Sequence, residues 1–236
     1  MDIKYFLFDL DGTLLPMDQD LFVKTYLEKL AKYMSAHGYT PEDLVKAVWY
    51  GIKAMNRNDG TVYNEEAFWN TFCQIYGKDA RLDEPKFRSF YETEFQKIKA
   101  VCGYNKKANE LIKFLKENGK TVILATNPVF PKIATESRMR WAGLDVSDFD
   151  YYTTYENSKS CKPTLQYYKE ILEKFNADAG ECLMIGNDVG DDMVVEDLNI
   201  HTFLLTDCLI NTASADIERY RHGDFDALFR YIKDLM

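Results

Sequence analysis

A chain of 236 residues that is 46% apolar and 28% charged has the balance of a folded globular protein. It is long enough for one large domain, or one domain with a smaller companion. The net charge of −9 argues against nucleic acid or an anionic membrane surface as the main partner. A phosphorylated small molecule remains compatible wherever local cations outweigh the global field. The cysteines at 73, 102, 161, 182 and 208 form no C-x-x-C pair and no zinc spacing, which fits reduced thiols in a cytoplasmic setting. The start Met-Asp-Ile-Lys lacks the shape of a signal peptide, and no apolar run reaches membrane-spanning length.

In chain order, Tyr5-Phe6-Leu7-Phe8 reads as a buried strand that stops abruptly at Asp9-Leu10-Asp11-Gly12-Thr13. Carboxylates are rarely buried unless paired or metal-bound, so two at the mouth of such a strand ask for a cation. A turn alone would also use Asp and Gly. Helical periodicity follows. Leu21, Phe22, Tyr26, Leu27, Leu30 and Met34 share one face, and Gly38 stands at the C-terminal end. Thr40-Pro41-Glu42-Asp43 opens a second helix bearing Leu44, Val45, Val48, Trp49, Ile52 and Met55. Asn64 is expected to cap a third, with Phe68, Phe72 and Ile75 and then Gly77. A fourth is expected through Phe87, Phe90, Tyr91, Phe95 and Ile98. Trp49, Phe68, Trp69, Phe72, Phe90 and Phe95 are assigned to the core of this all-helical stretch. The polar loop from Asn56 to Tyr63 is either a substrate-facing tip or an ordinary solvated loop.

From about residue 105, strands and helices alternate. Helices are expected around Leu111–Leu115, from Pro131 to Ala142, from Thr164 to Phe175, around Met193–Leu198 and from 224 to 235. Strands are expected at Thr121–Ala125, Tyr151–Thr154, Cys182–Ile185 and His201–Leu205. That rhythm implies an α/β fold, a Rossmann-like parallel sheet with helices on both faces. Three buried strands end in Asp9, Thr126 and Asp188, and in a parallel sheet those ends share one edge. Lys162, at the entry to a helix, suits an anion. His37, His201 and His222 fall outside this set and read as structural or surface residues. Cys161 is a candidate redox-sensitive thiol if the charge of neighbouring Lys162 lowers its pKa.

Asp9-Leu10-Asp11-Gly12-Thr13, then Thr126, then Lys162-Pro163, then Gly186-Asn187-Asp188 with Asp191-Asp192 resemble, in order, the four motifs of the haloacid dehalogenase superfamily of hydrolases. The resemblance covers residues 1–16 and 100–236 as the catalytic core. It makes residues 17–99 an all-helical cap domain inserted after the first strand. It implies a phosphatase acting on small phosphorylated metabolites, with Asp9 as nucleophile and Asp11 as general acid and base. Thr126, Asn127 and Lys162 would hold the phosphoryl group. It further implies Mg2+ on Asp9, the Asp11 backbone carbonyl and Asp188. An acid at position 11 favours phosphoester chemistry over halide displacement, because a departing alkoxide needs a proton. The fourth motif departs from the usual pattern by placing Asn187 after the glycine. Asp188 is preferred as the metal ligand, with Asn187 as the alternative and Asp192 as an outer partner of Lys162 or a metal water. Lys159 is the rival to Lys162. A phosphomutase and a non-catalytic metal- or partner-binding protein are the competing functions, and the oligomeric state stays open.

Overall fold

The computed structural model describes residues 2–77 and 79–236. Six parallel strands form one sheet in the order β3-β2-β1-β4-β5-β6. They are β1 (Tyr5–Phe8), β2 (Thr121–Leu124), β3 (Tyr151–Tyr152), β4 (Cys182–Gly186), β5 (His201–Leu205) and β6 (His222–Gly223). Side chains alternate across a strand, and the alternation sorts the core into two layers. Phe6, Phe8, Val122, Leu124, Leu183 and Ile185 join one buried cluster, with α5 (Lys106–Glu117), α6 (Lys132–Trp141) and α8 (Phe225–Asp234). Leu7, Ile123 and Met184 join the other, under α7 (Leu165–Phe175). The sheet is thus covered on both faces, as the apolar strands require.

Between β1 and α5 lie α1 (Gln19–Ser35), α2 (Pro41–Asn56), α3 (Asn64–Tyr76) and α4 (Glu84–Glu92), followed by a 3-10 helix at Phe95–Val101. Their apolar faces merge with the first sheet cluster rather than forming a separate one. Two seams join the helices to the sheet layer. At one, the rings of Phe95 and Trp141 lie 5.0 Å apart, the Trp141 indole N–H donates to Gln96 Oε1 at 3.1 Å, and Gln96 Nε2 donates to Ser137 Oγ at 2.8 Å. At the other, the first N–H groups of α3 bond core carbonyls: Asn64 to Ser158 O at 2.9 Å and Glu65 to Tyr155 O at 2.8 Å.

Several expectations are corrected. Tyr63, not Asn64, is the N-cap of α3; Asn64 is buried inside the first turn, and its amide donates to Ser160 O at 3.1 Å. A cap side chain satisfies its own helix, but here core carbonyls do that work and free the amide to bridge outward. Trp49, assigned to the core, is 48% exposed, because helical spacing predicts a face and not whether another element covers it. The expected fourth helix breaks at Thr93 (φ −121°, ψ −80°), whose hydroxyl bonds back to Ser89 O at 2.7 Å. The segment Met193–Leu198 is a 3-10 helix, and the two-residue strand β6 carried too short a pattern to be read.

Candidate active site

Because β1 is flanked by β2 and β4, the residues after these three strands meet at one edge. The Asp9 N–H donates to Ile185 O at 2.9 Å, fixing Asp9 at the mouth between them. Gly12 adopts φ +84°, and a Cβ there would stand 2.4 Å from Asn187 Nδ2, so the turn needs a residue with none. That closeness lets Thr13 Oγ1 donate to Asn187 Oδ1 at 2.9 Å, while Asn187 Nδ2 donates to Cys208 O at 2.7 Å. Asn187 therefore ties the β1 turn to the segment after β5, and both ends of its amide are engaged.

Lys162 is buried and bridges two carboxylates: Nζ lies 2.8 Å from Asp9 Oδ1 and 2.6 Å from Asp192 Oδ1. Burial opposes its charge, but Asp192 and Asp9 outweigh it and hold the ammonium well above its ordinary range. The second oxygen of Asp192 accepts the Asp188 N–H at 3.0 Å, so Asp192 orients Lys162 and the β4 turn together. Gly186 makes this approach feasible, since a Cβ there would stand 2.1 Å from Asp192 Oδ2. Lys159, the alternative cation, lies instead over the Tyr63 ring, 5.3 Å from its centroid.

Thr126 follows β2 and is buried; its carbonyl accepts from Thr153 Oγ1 at 2.6 Å and from the Tyr167 hydroxyl at 2.9 Å. Asn127 Oδ1 is buried without a partner. Asp11 shows the same need. One of its oxygens pairs with Arg138 Nη1, while Oδ1 is buried and unpartnered. Burial pushes the Asp11 carboxyl up to about 6 against the opposing pull of Arg138. Sequence reasoning missed Arg138. The available signal was an arginine in the inward stripe of α6, four residues after Ala134 and three before Trp141, both buried.

Among the described residues no three His, Cys, Asp or Glu side chains converge as a ready-made cation cage. The set expected for Mg2+ uses two carboxylates and a backbone carbonyl. Asp191 is pushed up to about 6 by burial, eased by Lys162 and added to by Asp188 and Asp9. Hard oxygen donors with mutual repulsion fit a small divalent ion that keeps some of its water. The redox expectation for Cys161 fails: burial pushes its thiol up to about 12, disfavouring the reactive thiolate. In the Asn56–Tyr63 loop, Asp59, Gly60 and Tyr63 line a polar groove with Asn157, Ser158 and Lys159.

Solved structures share this fold across almost the whole chain. A HAD phosphatase from Thermococcus onnurineus is 16% identical with a TM-score of 0.59, covering 99% of this chain and 98% of its own. The putative HAD-hydrolase YfnB from Bacillus subtilis, described as bound to magnesium, is 18% identical with a TM-score of 0.55, covering 98% and 99%. A putative beta-phosphoglucomutase from Thermotoga maritima is 19% identical with a TM-score of 0.57, covering 99% and 100%. No curated protein matches the chain in sequence. The family pattern described as haloacid dehalogenase-like hydrolase matches residues 3–193, a span that holds every motif residue above, and the chain belongs to that family.

Proposed function

We propose that the protein is a magnesium-dependent phosphatase of small phosphorylated metabolites, working through an aspartyl-phosphate. The observation that carries the reading is the Asp9–Lys162–Asp192 bridge beside a second acid at position 11. Lys162 offers a fixed positive charge next to Asp9, which lowers the repulsion a phosphate dianion meets on approaching that carboxylate. Asp9 attacks phosphorus and Asp11 gives its proton to the departing alcohol oxygen. Water then attacks the phosphoenzyme, returns a proton to Asp11 and releases inorganic phosphate with the Asp9 carboxylate. Thr126 and Asn127 would hold phosphoryl oxygens through donors, namely the Thr126 hydroxyl, the Asn127 side-chain N–H groups and nearby backbone N–H groups. Mg2+, held by Asp9, the Asp11 carbonyl and Asp188, would neutralise charge on the transferring group when bound.

Residues 17–99 would act as a cap that keeps bulk water from the phosphoenzyme. Where they face the core there is a cavity of about 600 Å³, lined by Tyr26, Phe68, Trp69, Phe87, Tyr91 and Phe130 among others. Phe130, in that lining, also stacks under the Arg138 guanidinium at 4.4 Å, and Arg138 in turn pairs with Asp11. The aromatic part of that lining would suit an apolar or ring-shaped portion of the alcohol, and Arg88, Lys132 and Arg140, with Glu84, Glu136 and Glu156, add a charged part to the same wall.

The test is phosphate release from a panel spanning sugar, carboxylate-bearing and ring-bearing phosphomonoesters, with and without Mg2+. Asp9→Asn is expected to abolish turnover while the circular dichroism spectrum stays that of the folded protein; near-normal turnover in that variant ends the mechanism. Recovery of an isomeric phosphoester instead of inorganic phosphate would favour a mutase.

A further inference from the structure

We propose that Arg138 is the positioning residue for Asp11, fixing one carboxyl oxygen so that the other is presented to the leaving oxygen of the ester. The proposal rests on the phosphatase reading above. Arg138 comes from α6, far along the chain from the β1 turn, and its side chain is 1% exposed. Each guanidinium nitrogen has an assigned role. Nη1 holds Asp11 Oδ2, Nη2 reaches Thr135 Oγ1 at 3.4 Å, and Nε reaches Ala134 O at 3.4 Å. The Phe130 ring covers the face of the guanidinium, 4.4 Å from its central carbon. Its own helix therefore sets the plane of the fork, and an aromatic ring sets its height.

Burying a guanidinium and a carboxylate carries a desolvation cost of several kcal/mol per ion, and apolar residues of similar volume often serve stability as well or better. Packing alone does not explain the pair. The carboxylate it grips is the acid two residues after the nucleophile candidate, and its remaining oxygen, Oδ1, is buried with no partner. Buried oxygens in native proteins are nearly always satisfied, so a bare one at a site marks where a ligand atom belongs. With Oδ2 held, the carboxyl cannot swing, and Oδ1 is the atom left to exchange a proton. In the first half-reaction an Asp9 oxygen bonds phosphorus and the ester P–O bond breaks. The bonding pair stays on the alcohol oxygen, which takes the proton from Asp11. In the second, water oxygen bonds phosphorus, Asp11 takes the water proton, and the Asp9–phosphorus bond breaks. Between the two, Arg138 balances the Asp11 carboxylate.

The experiment measures kcat/KM for phosphomonoesters whose alcohols span a wide range of pKa, from nitrophenols to simple alkanols. A poor leaving group depends on the proton from Asp11; a good one does not. Arg138→Met is expected to steepen the plot of log kcat/KM against leaving-group pKa, costing alkyl esters about tenfold to a hundredfold more than aryl esters. Arg138→Lys keeps the buried charge without the fork and is expected to fall between Met and wild type; it also carries the test if the methionine variant does not fold. Adding either change to Asp11→Asn is expected to leave the slope where Asp11→Asn alone puts it. A parallel loss across all esters, or an unchanged slope in both variants, overturns the proposal. Absence of phosphate release from every ester by the wild-type protein would instead remove the phosphatase reading.

Discussion

The buried bridge between Lys162 and Asp192 allows a stability prediction worked from its contacts. Asp192→Asn removes the charge and one of two acceptors. At present one oxygen takes the Lys162 ammonium at 2.6 Å and the other the Asp188 N–H at 3.0 Å. An amide has one carbonyl, so either Lys162 or the Asp188 N–H must face an NH2 donor. The charge-assisted hydrogen bond accounts for about 1.5–3 kcal/mol. The stranded ammonium, left with Asp9 alone, brings the total to about 3–5 kcal/mol. For a chain of this size each kcal/mol moves the melting temperature by roughly 2–4 °C, so a fall of about 6–20 °C is expected. The assay is thermal melting followed by circular dichroism, with urea unfolding as an independent measure. Lys162→Met combined with Asp192→Asn should cost clearly less than the two single changes added together, because the second removes a charge already unpaired. A melting temperature within about 2 °C of wild type for Asp192→Asn, or strict additivity in the double variant, would refute the reasoning.

Asn64→Ala should destabilise by about 2 kcal/mol in urea unfolding, since it strands Ser160 O and one N–H of the Asn58 amide at the seam between α3 and the sheet layer. Cys161 and Cys182 both have thiols pushed up to about 12 by burial, so their thiolates are scarce at pH 8. Mass spectrometry after brief iodoacetamide treatment of the native protein should show neither modified, whereas unfolding in urea should expose both. Trp49→Ser should shift stability by no more than about 0.5 kcal/mol, because the side chain is half exposed; a loss above 2 kcal/mol would restore Trp49 to the core.

The sheet could be read from the sequence because its strands are continuous apolar runs that stop sharply at polar residues: Phe8 before Asp9, Leu124 and Ala125 before Thr126, Ile185 and Gly186 before Asn187. The motif order placed Asp9, Lys162 and Asp192, and the fold brings both carboxylates within hydrogen-bonding distance of the Lys162 ammonium. What stayed hidden has a common cause. Arg138, Asn64 and Gln96 are polar residues whose roles depend on partners in other segments, and local pattern says nothing of those partners. Trp49 failed for the converse reason. Its helical spacing was correct, but spacing predicts a face, not whether another element covers it. The Cys161 expectation weighed a neighbouring charge and omitted desolvation, which dominates once the residue is buried.

The sheet order carries a consequence for biosynthesis. β1 is translated first yet lies in the middle of the sheet, with Tyr5 registered against Thr121 on one side and Cys182 on the other. At about 5–20 residues per second, a ribosome needs roughly ten to thirty-five seconds after making β1 to supply its second neighbour. During that interval an apolar, β-prone ribbon ending in Asp9 waits with at least one edge unpaired, while the intervening helices can coil through short-range contacts. The edge that carries Asp9 is therefore among the last parts of the nascent chain to form, and β1 is the apolar segment that waits longest for its partners.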